Sequence, residues 1–244
     1  MRQDLLQNLN IPSACKIGRK LFKKQFSENF TLNVNEKKTL TNDIESITLE
    51  YLLNKDNINI APFVDDEKDY SEIAFIQVDI LNKQKLKPLA AIIQNIPYPL
   101  IVLFRHENLI CFNVTPKRIN KNDSTKLVLE ESLFTEWIDL QNASRLEEEF
   151  IKSLEIQNHP FTDFHSFYNS YLDKIIAFNA SKHSGTLSIT DASREILQEI
   201  QNIEAQISEV TSKIKKETNT RDKVNMNIEL KKLNINLDEL KGKL

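Results

Sequence analysis

The segment IAFIQVDI, residues 73–80, is the stretch that most directly decides the fold. Its β-branched and aromatic residues predict a strand. Two apolar runs, PLIVLF at 99–104 and LICFNV at 109–114, flank the polar segment RHEN and predict a β-hairpin. Between this strand and the hairpin, residues 86–96 predict a short amphipathic helix, whose first turn tolerates Pro88.

The rest of the globular part surrounds these strands with helices. Apolar residues at helical spacing predict helices at residues 16–25, 40–53, 143–154 and 164–179. Further extended segments are predicted at 57–61, 126–130 and 135–139, and the acidic residues 65–69 predict a loop. Helices first, strands in the middle and helices last predict an α+β fold, with a small mixed or antiparallel sheet and flanking helices.

The composition changes at Ser184 and Gly185, since all seven prolines and every aromatic residue precede them. We therefore predict an α+β domain at 1–183 and a coiled-coil tail at 184–244. One heptad seam of the tail comprises Ile196, Ile200, Ile203, Ile207, Val210 and Ile214. A second, out of phase with the first, comprises Met226, Leu230, Leu233, Leu237, Leu240 and Leu244. The polar residues between them, where Asn219 can cap a helix, leave a helical hairpin and one long helix both open.

Three glycines in 244 residues, Gly18, Gly185 and Gly242, exclude several classes of enzyme. A P-loop, a dinucleotide-binding fingerprint, a nucleophile elbow and a kinase phosphate loop all need glycines at fixed offsets. The sequence therefore predicts no nucleotide cofactor. It favours a binding or scaffolding subunit.

Net charge, cysteine content and the lengths of the apolar runs limit the expected partners and cellular location. The net charge of −3 neither favours nor excludes nucleic acid, because a local basic patch acts within a neutral total. Cys15 and Cys111 are isolated, which predicts neither a disulfide framework nor a zinc ribbon. The first residues contain no apolar signal region, and no run is long enough to cross a membrane. A reducing cytoplasm is the expected location.

The basic segment near the N-terminus is the candidate nucleic-acid site. Its cations fall on one stripe of the predicted helix: Lys16, Arg19, Lys20, Lys23 and Lys24. Such a stripe can neutralise several phosphates in a salt-dependent manner, although a solvated surface helix has the same pattern. Phe22, Phe26 and Phe30 interleave with the cations and are interpreted as core residues rather than base-stacking platforms.

Acidic and histidine residues give weaker signals. A divergent metal-dependent nuclease is the alternative function, with Asp79, Glu72 or Glu130 as ligands, but the acidic-x-Lys motif of such enzymes is missing. His159 and His165 bracket Asp163, yet their spacing matches no known metal-ligand pattern. We predict no catalytic residue and no metal site.

Short motifs along almost the whole chain resemble one bacterial family, the domain of unknown function numbered 4391. They are residues 11–13, the basic segment at 16–24, and residues 43–47, 57–60, 73–80, 96–99, 135–137 and 221–230. The resemblance implies a C-terminal coiled coil but no established activity and no catalytic residues. Members tend to be encoded beside DNA methyltransferases and helicases of restriction-like or anti-phage systems, which implies a role in DNA defence by association.

These observations predict a non-catalytic subunit of a restriction-like or defence complex, which binds a helicase or methyltransferase subunit and DNA backbone. A toxin-like or regulatory protein unrelated to DNA is a third possibility. The tail is expected to hold the partner protein or to pair with itself. The predicted partner-binding residues are Ile196, Ile200, Ile203, Ile207, Val210, Ile214, Leu230, Leu233 and Leu237.

Overall fold

The computed structural model describes residues 5–121, 123–184, 191–217 and 219–241. The chain divides into two compact units, Met1–Ile175 and Ile176–Leu244. The predicted domain boundary between residues 183 and 184 stays a prediction.

Eleven strands are described, and all of them lie in the first unit. They are β1 (Lys16–Lys20), β2 (Ile44–Asn54), β3 (Phe63–Val64), β4 (Asp69–Tyr70), β5 (Glu72–Ile80), β6 (Leu100–His106), β7 (Leu109–Val114), β8 (Lys117–Asn120), β9 (Asp123–Leu129), β10 (Leu133–Phe134) and β11 (Ile138–Asp139). The α-helices are α1 (Lys23–Asn29), α2 (Val34–Asp43), α3 (Leu86–Ile93), α4 (Arg145–Ser153), α5 (Phe164–Ser184), α6 (Asp191–Lys216) and α7 (Thr220–Lys241).

Seven strands form one mixed sheet in the order β1-β2-β5-β6-β7-β10, with β11 also paired to β7. Strands β5 and β6 are parallel and are joined by a crossover that contains α3, whereas the other pairs in this sheet are antiparallel. Two small two-stranded sheets, β3–β4 and β8–β9, lie outside it. The predicted α+β class with a mixed sheet is confirmed.

The strand alternation of β5 separates two apolar layers. Ile76 belongs to a core cluster with residues of α1, α2 and α3, including Phe26 and Leu89. Phe75, which points to the opposite face, meets Tyr171 of α5 with ring centroids 5.7 Å apart. The central sheet is therefore buried on both faces, as expected for a strand that reads as a continuous apolar run.

Three predicted elements are wrong. The predicted helix at 16–25 is instead the strand β1 followed by α1, because Gly18 takes a left-handed φ of 60° and the backbone pairs with β2. The predicted helix at 40–53 is the end of α2 followed by β2. The predicted strand at 57–61 is a turn that makes one isolated bridge, between Ala61 and Asp163.

A Gly18→Ala variant tests whether β1 requires the left-handed backbone conformation at residue 18. A Cβ at this position would meet nothing within 4 Å, so the cost arises only from the positive φ. We expect thermal or denaturant unfolding to show a loss of about 1 kcal/mol. A change within error would show that the chain does not need the left-handed conformation at residue 18.

The C-terminal residues form two helices rather than one. Helices α6 and α7 pack together through Ile200, Ile203, Leu237 and Leu240. The predicted cap of the second helix is confirmed, since Asn219 Oδ1 accepts a hydrogen bond from the Arg221 backbone at 2.9 Å. None of the helices in the described ranges is long and apolar enough to span a membrane.

Candidate nucleic-acid interface

Strand β1 lies at one edge of the large sheet, and all five of its residues are exposed. Its pairing with β2 is irregular between Lys16 and Arg19, around Gly18. Lys16, Arg19 and Lys20 form no ion pair within the described residues. Three of the five predicted cations are therefore displayed on an exposed strand rather than on a helix.

The other two predicted cations are engaged locally. Lys23 Nζ donates hydrogen bonds to the carbonyl oxygens of Thr41, at 2.8 Å, and Ile44. Burial, reinforced by the neighbouring Lys20, lowers the pKa of Lys23. Lys24 is exposed and forms an i,i+4 ion pair with Glu28 at 3.4 Å. Lys23 thus ties α1 to the junction of α2 and β2.

A cavity of about 440 Å³ opens beside β1. Its floor is the apolar face of β2 and β5, including Leu49 and Ile76, and one wall is formed by Phe26 of α1 and by Phe30, which directly follows that helix. Among the described residues, Arg19 is the one cation in its lining. A mostly apolar cavity of this size is typical of a ligand-binding site. Its lining suits a ligand with a small or planar apolar group, next to an anionic group that pairs with Arg19.

Two exposed aromatic side chains lie close to the basic strand. Tyr98 lines the cavity and is 41% exposed, and Phe22, directly before α1, is 61% exposed. The loop backbone at Tyr98 is held by the buried Lys117, whose Nζ donates to the carbonyl oxygens of Ile96 and Tyr98, both at 2.6 Å. Burial lowers the pKa of Lys117 to about 7.

The carboxylates proposed for a nuclease are not brought together. Both oxygens of Asp79 are occupied, one by Arg105 Nε and the other by Ser46 Oγ, each at 2.6 Å. Glu72 begins β5 and Asp79 lies seven residues further along it, so the two are separated by roughly 23 Å of strand. Glu130 follows β9 and is exposed. The described residues contain no group of three or more His, Cys, Asp or Glu side chains that could hold a metal ion.

His159 and His165 each have their own structural contacts. His159 is buried, contacts Ser170 and stacks on Tyr171. His165 stacks on Phe63 and lies 3.0 Å from Lys68 Nζ. Asp163, between them in sequence, accepts hydrogen bonds from Ser166 at the start of α5. All three side chains therefore have structural partners.

The predicted partner-binding residues of the tail lie largely inside the α6–α7 pair. Ile200, Ile203 and Leu237 are buried in the cluster between the helices, with Ile196, Ile207 and Leu233 partly buried around it. Val210 is also buried, and Ile214 and Leu230 are half-buried. Their role in holding a partner stays a prediction.

The cavity is not predictable from the sequence, although the pattern around the basic segment assigns Phe26 and Phe30 to the core. Phe26 of α1 and Phe30, the residue after that helix, are close in sequence, and their ring centroids lie 5.7 Å apart. Tyr98 reaches the same place from a loop after α3, about seventy residues along the chain. Only the tertiary fold brings these residues together.

The fold and this surface define an α+β protein with a mixed sheet, whose exposed edge strand is basic and borders an aromatic cavity. The chain belongs to the family described as Domain of unknown function (DUF4391), whose model matches residues 9–237. The search of the curated proteins found no match, and neither did the search of the solved structures.

Proposed function

We propose that the chain is a non-catalytic subunit of a bacterial restriction-like or anti-phage defence complex, and that it binds single-stranded nucleic acid along β1. The observation that carries this proposal is the cavity beside an exposed strand whose three cations form no ion pair with other described residues. A helicase or methyltransferase is proposed as the partner because family members tend to be encoded beside such genes. Helices α6 and α7 are the proposed coiled-coil element that docks it.

The charge distribution supports contact with phosphates. Lys16, Arg19 and Lys20 lie along one exposed edge strand, with Arg19 on the face of the cavity and the two lysines paired with Tyr51 and Thr48 of β2. No carboxylate in the described part of the chain forms an ion pair with them. An extended strand of cations can follow a sugar–phosphate backbone, and each neutralised phosphate releases counterions. The overall charge of −3 makes this local excess a specific feature of the surface rather than a general property of the protein.

The aromatic groups favour unpaired bases over a duplex. Proteins that bind single strands combine a basic track with aromatic side chains on which bases stack. Tyr98 and Phe22 supply exposed rings, and the cavity between Phe30 and Tyr98 offers an apolar recess next to Arg19. A base inserted there would place its phosphate beside the guanidinium group. A helicase partner would supply such single strands.

The direct experiment is a titration of the purified full chain with fluorescent single-stranded DNA, single-stranded RNA and duplex DNA at several salt concentrations. We expect single strands to bind more tightly than the duplex, with a log–log salt slope of about −2 from three phosphate contacts. Absence of salt-sensitive binding to any of the three at low ionic strength would contradict the proposal.

A Tyr98→Ala variant tests the stacking contribution. Since each base stacked on an aromatic side chain contributes about 1–3 kcal/mol, we expect single-strand affinity to fall by roughly 5- to 150-fold with little change in the salt slope. Phe161→Ala is the matched control, because Phe161 is 42% exposed and Tyr98 is 41% exposed. Equal losses in the two variants would remove Tyr98 from the interface.

A further inference from the structure

Helix α7 has two apolar stripes on opposite sides. The packed stripe, Leu233, Leu237 and Leu240, belongs to the cluster with α6. The outer stripe, Val224, Ile228 and Ile235, is exposed, with 53%, 52% and 51% of these residues' surfaces accessible. The spacings of four and seven residues keep the outer stripe within about 40° of arc, and the packed stripe lies roughly 180° away.

The outer stripe lies outside the described apolar cluster between α6 and α7. A surface helix that packs on one neighbour needs one apolar face, and its other face is normally polar. Three large β-branched side chains in line on the solvent side are unfavourable in water, and such a patch typically marks an interaction surface.

The charges around the outer stripe indicate what covers it. Arg221 lies beside its N-terminal end, Asp238 and Glu239 lie beside its C-terminal end, and Lys231 lies within it, all of them exposed. None of these four side chains forms an ion pair in the part of the chain that the structure describes. The stripe is thus basic at its start and middle and acidic at its end.

A second copy of α7 complements this pattern only when it runs antiparallel. Placing Val224 opposite Ile235 of the second copy sets Ile228 against the aliphatic stem of Lys231, which can cover apolar surface while its ammonium stays in water. The same register places Arg221 beside the acidic residues Asp238 and Glu239. A parallel pair would instead oppose Arg221 to Arg221 and Lys231 to Lys231.

We propose that the outer stripe of α7 is a self-association face, which pairs antiparallel with the same stripe of a second copy of this chain. Such a two-fold pair stops at a dimer, because each copy presents the same patch to the other. Each contact therefore occurs twice in the interface. The proposal is independent of nucleic-acid binding at β1, which lies in the other compact unit.

The first test is sedimentation equilibrium of the full chain over a range of protein concentrations. We expect a monomer–dimer equilibrium, which the double variant Ile228→Asp with Ile235→Asp weakens by roughly tenfold or more. The control Asn225→Asp with Asn236→Asp adds the same charge away from the stripe and should dimerise like the wild type. Circular dichroism checks that both variants keep their helices.

A charge exchange tests the antiparallel register. Arg221→Glu and Glu239→Arg should each weaken the dimer, because each removes an attractive pair and creates a repulsive one, and the two together should restore it. A dimer that Arg221→Glu leaves unchanged would indicate a parallel pair, in which Arg–Arg repulsion is only exchanged for Glu–Glu repulsion, and would overturn the proposed register. A wild-type chain that stays monomeric at all concentrations, or a dimer that the Ile228 and Ile235 changes leave intact, would overturn self-association at this face.

Discussion

Replacing Lys16, Arg19 and Lys20 by Glu is expected to weaken binding to single-stranded nucleic acid by at least about 100-fold at low salt. Each substitution removes a cation from the exposed strand β1 and adds an anion that repels phosphate. The remaining binding should lose most of its salt dependence, since the groups that displaced counterions are gone. Affinity measured by fluorescence anisotropy at several salt concentrations gives both quantities.

The matched control reverses three exposed lysines: Lys83 and Lys85 in the 3₁₀ turn before α3, and Lys87 in the first turn of α3. It changes the net charge by the same amount, so a general electrostatic effect would weaken both variants alike. We expect the control to bind within a few-fold of the wild type. If the two triple variants lose affinity equally, β1 is not the binding surface.

Acidification is expected to destabilise the first unit through His159. Burial, together with the nearby Lys174, lowers the pKa of His159 to about 3, compared with 6.5 for an ordinary histidine. Nε2 donates to the carbonyl oxygen of Leu154, so Nδ1 accepts from Ser170 Oγ and the folded ring is neutral. The unfolded chain takes up a proton as the pH falls below 6.5, while the folded chain does not.

The sign of this effect follows from proton binding. The contribution of His159 to the free energy of unfolding is complete above pH 6.5 and is lost as the pH falls toward 3, with a loss of roughly 3 kcal/mol by pH 4.5. The lowered pKa values of Lys117 and Lys174, about 7 and about 8, change stability mainly at higher pH. Urea unfolding at successive pH values measures the dependence.

A His159→Phe variant separates this residue from the other acid-sensitive groups. The ring can keep its stacking on Tyr171, whose hydroxyl still donates to the Leu154 carbonyl oxygen at 3.0 Å. We expect lower stability than the wild type at pH 7 but a much flatter dependence between pH 6.5 and 4.5. An unchanged pH dependence would show that His159 is not the group responsible.

The elements that the sequence predicted correctly are those whose pattern is local. Strand β5, the β6–β7 hairpin, α3 and α5 each carry a continuous apolar run or a clear helical period, and each was found close to its predicted position. Strand β1 was missed because its cations recur at helical spacing, while its pairing depends on β2. At 40–53, Ile44, Ile47 and Tyr51 recur at a spacing that fits a helix, yet they lie on a long strand.

The candidate site was predicted only in part, for the same physical reason. The cations were visible as a cluster in sequence, and three of them remain free at the surface. The cavity depends on side chains from β1, α1, β2, β5 and the loop around Tyr98, and no linear spacing records their convergence. The ion pair between Asp79 and Arg105 is likewise not predictable from the sequence, because it joins neighbouring parallel strands.

The most direct measurement is photo-cross-linking of a 5-iodouracil-substituted single strand to the full chain, with the attachment sites mapped by mass spectrometry. Binding along β1 with bases directed toward the cavity predicts cross-links at Tyr98 and Phe22, the exposed aromatic residues beside the strand. These cross-links should disappear in the Lys16, Arg19 and Lys20 charge-reversal variant. Cross-links concentrated elsewhere in the first unit, for example at Phe161, or unchanged by the charge reversal, would contradict nucleic-acid binding at β1.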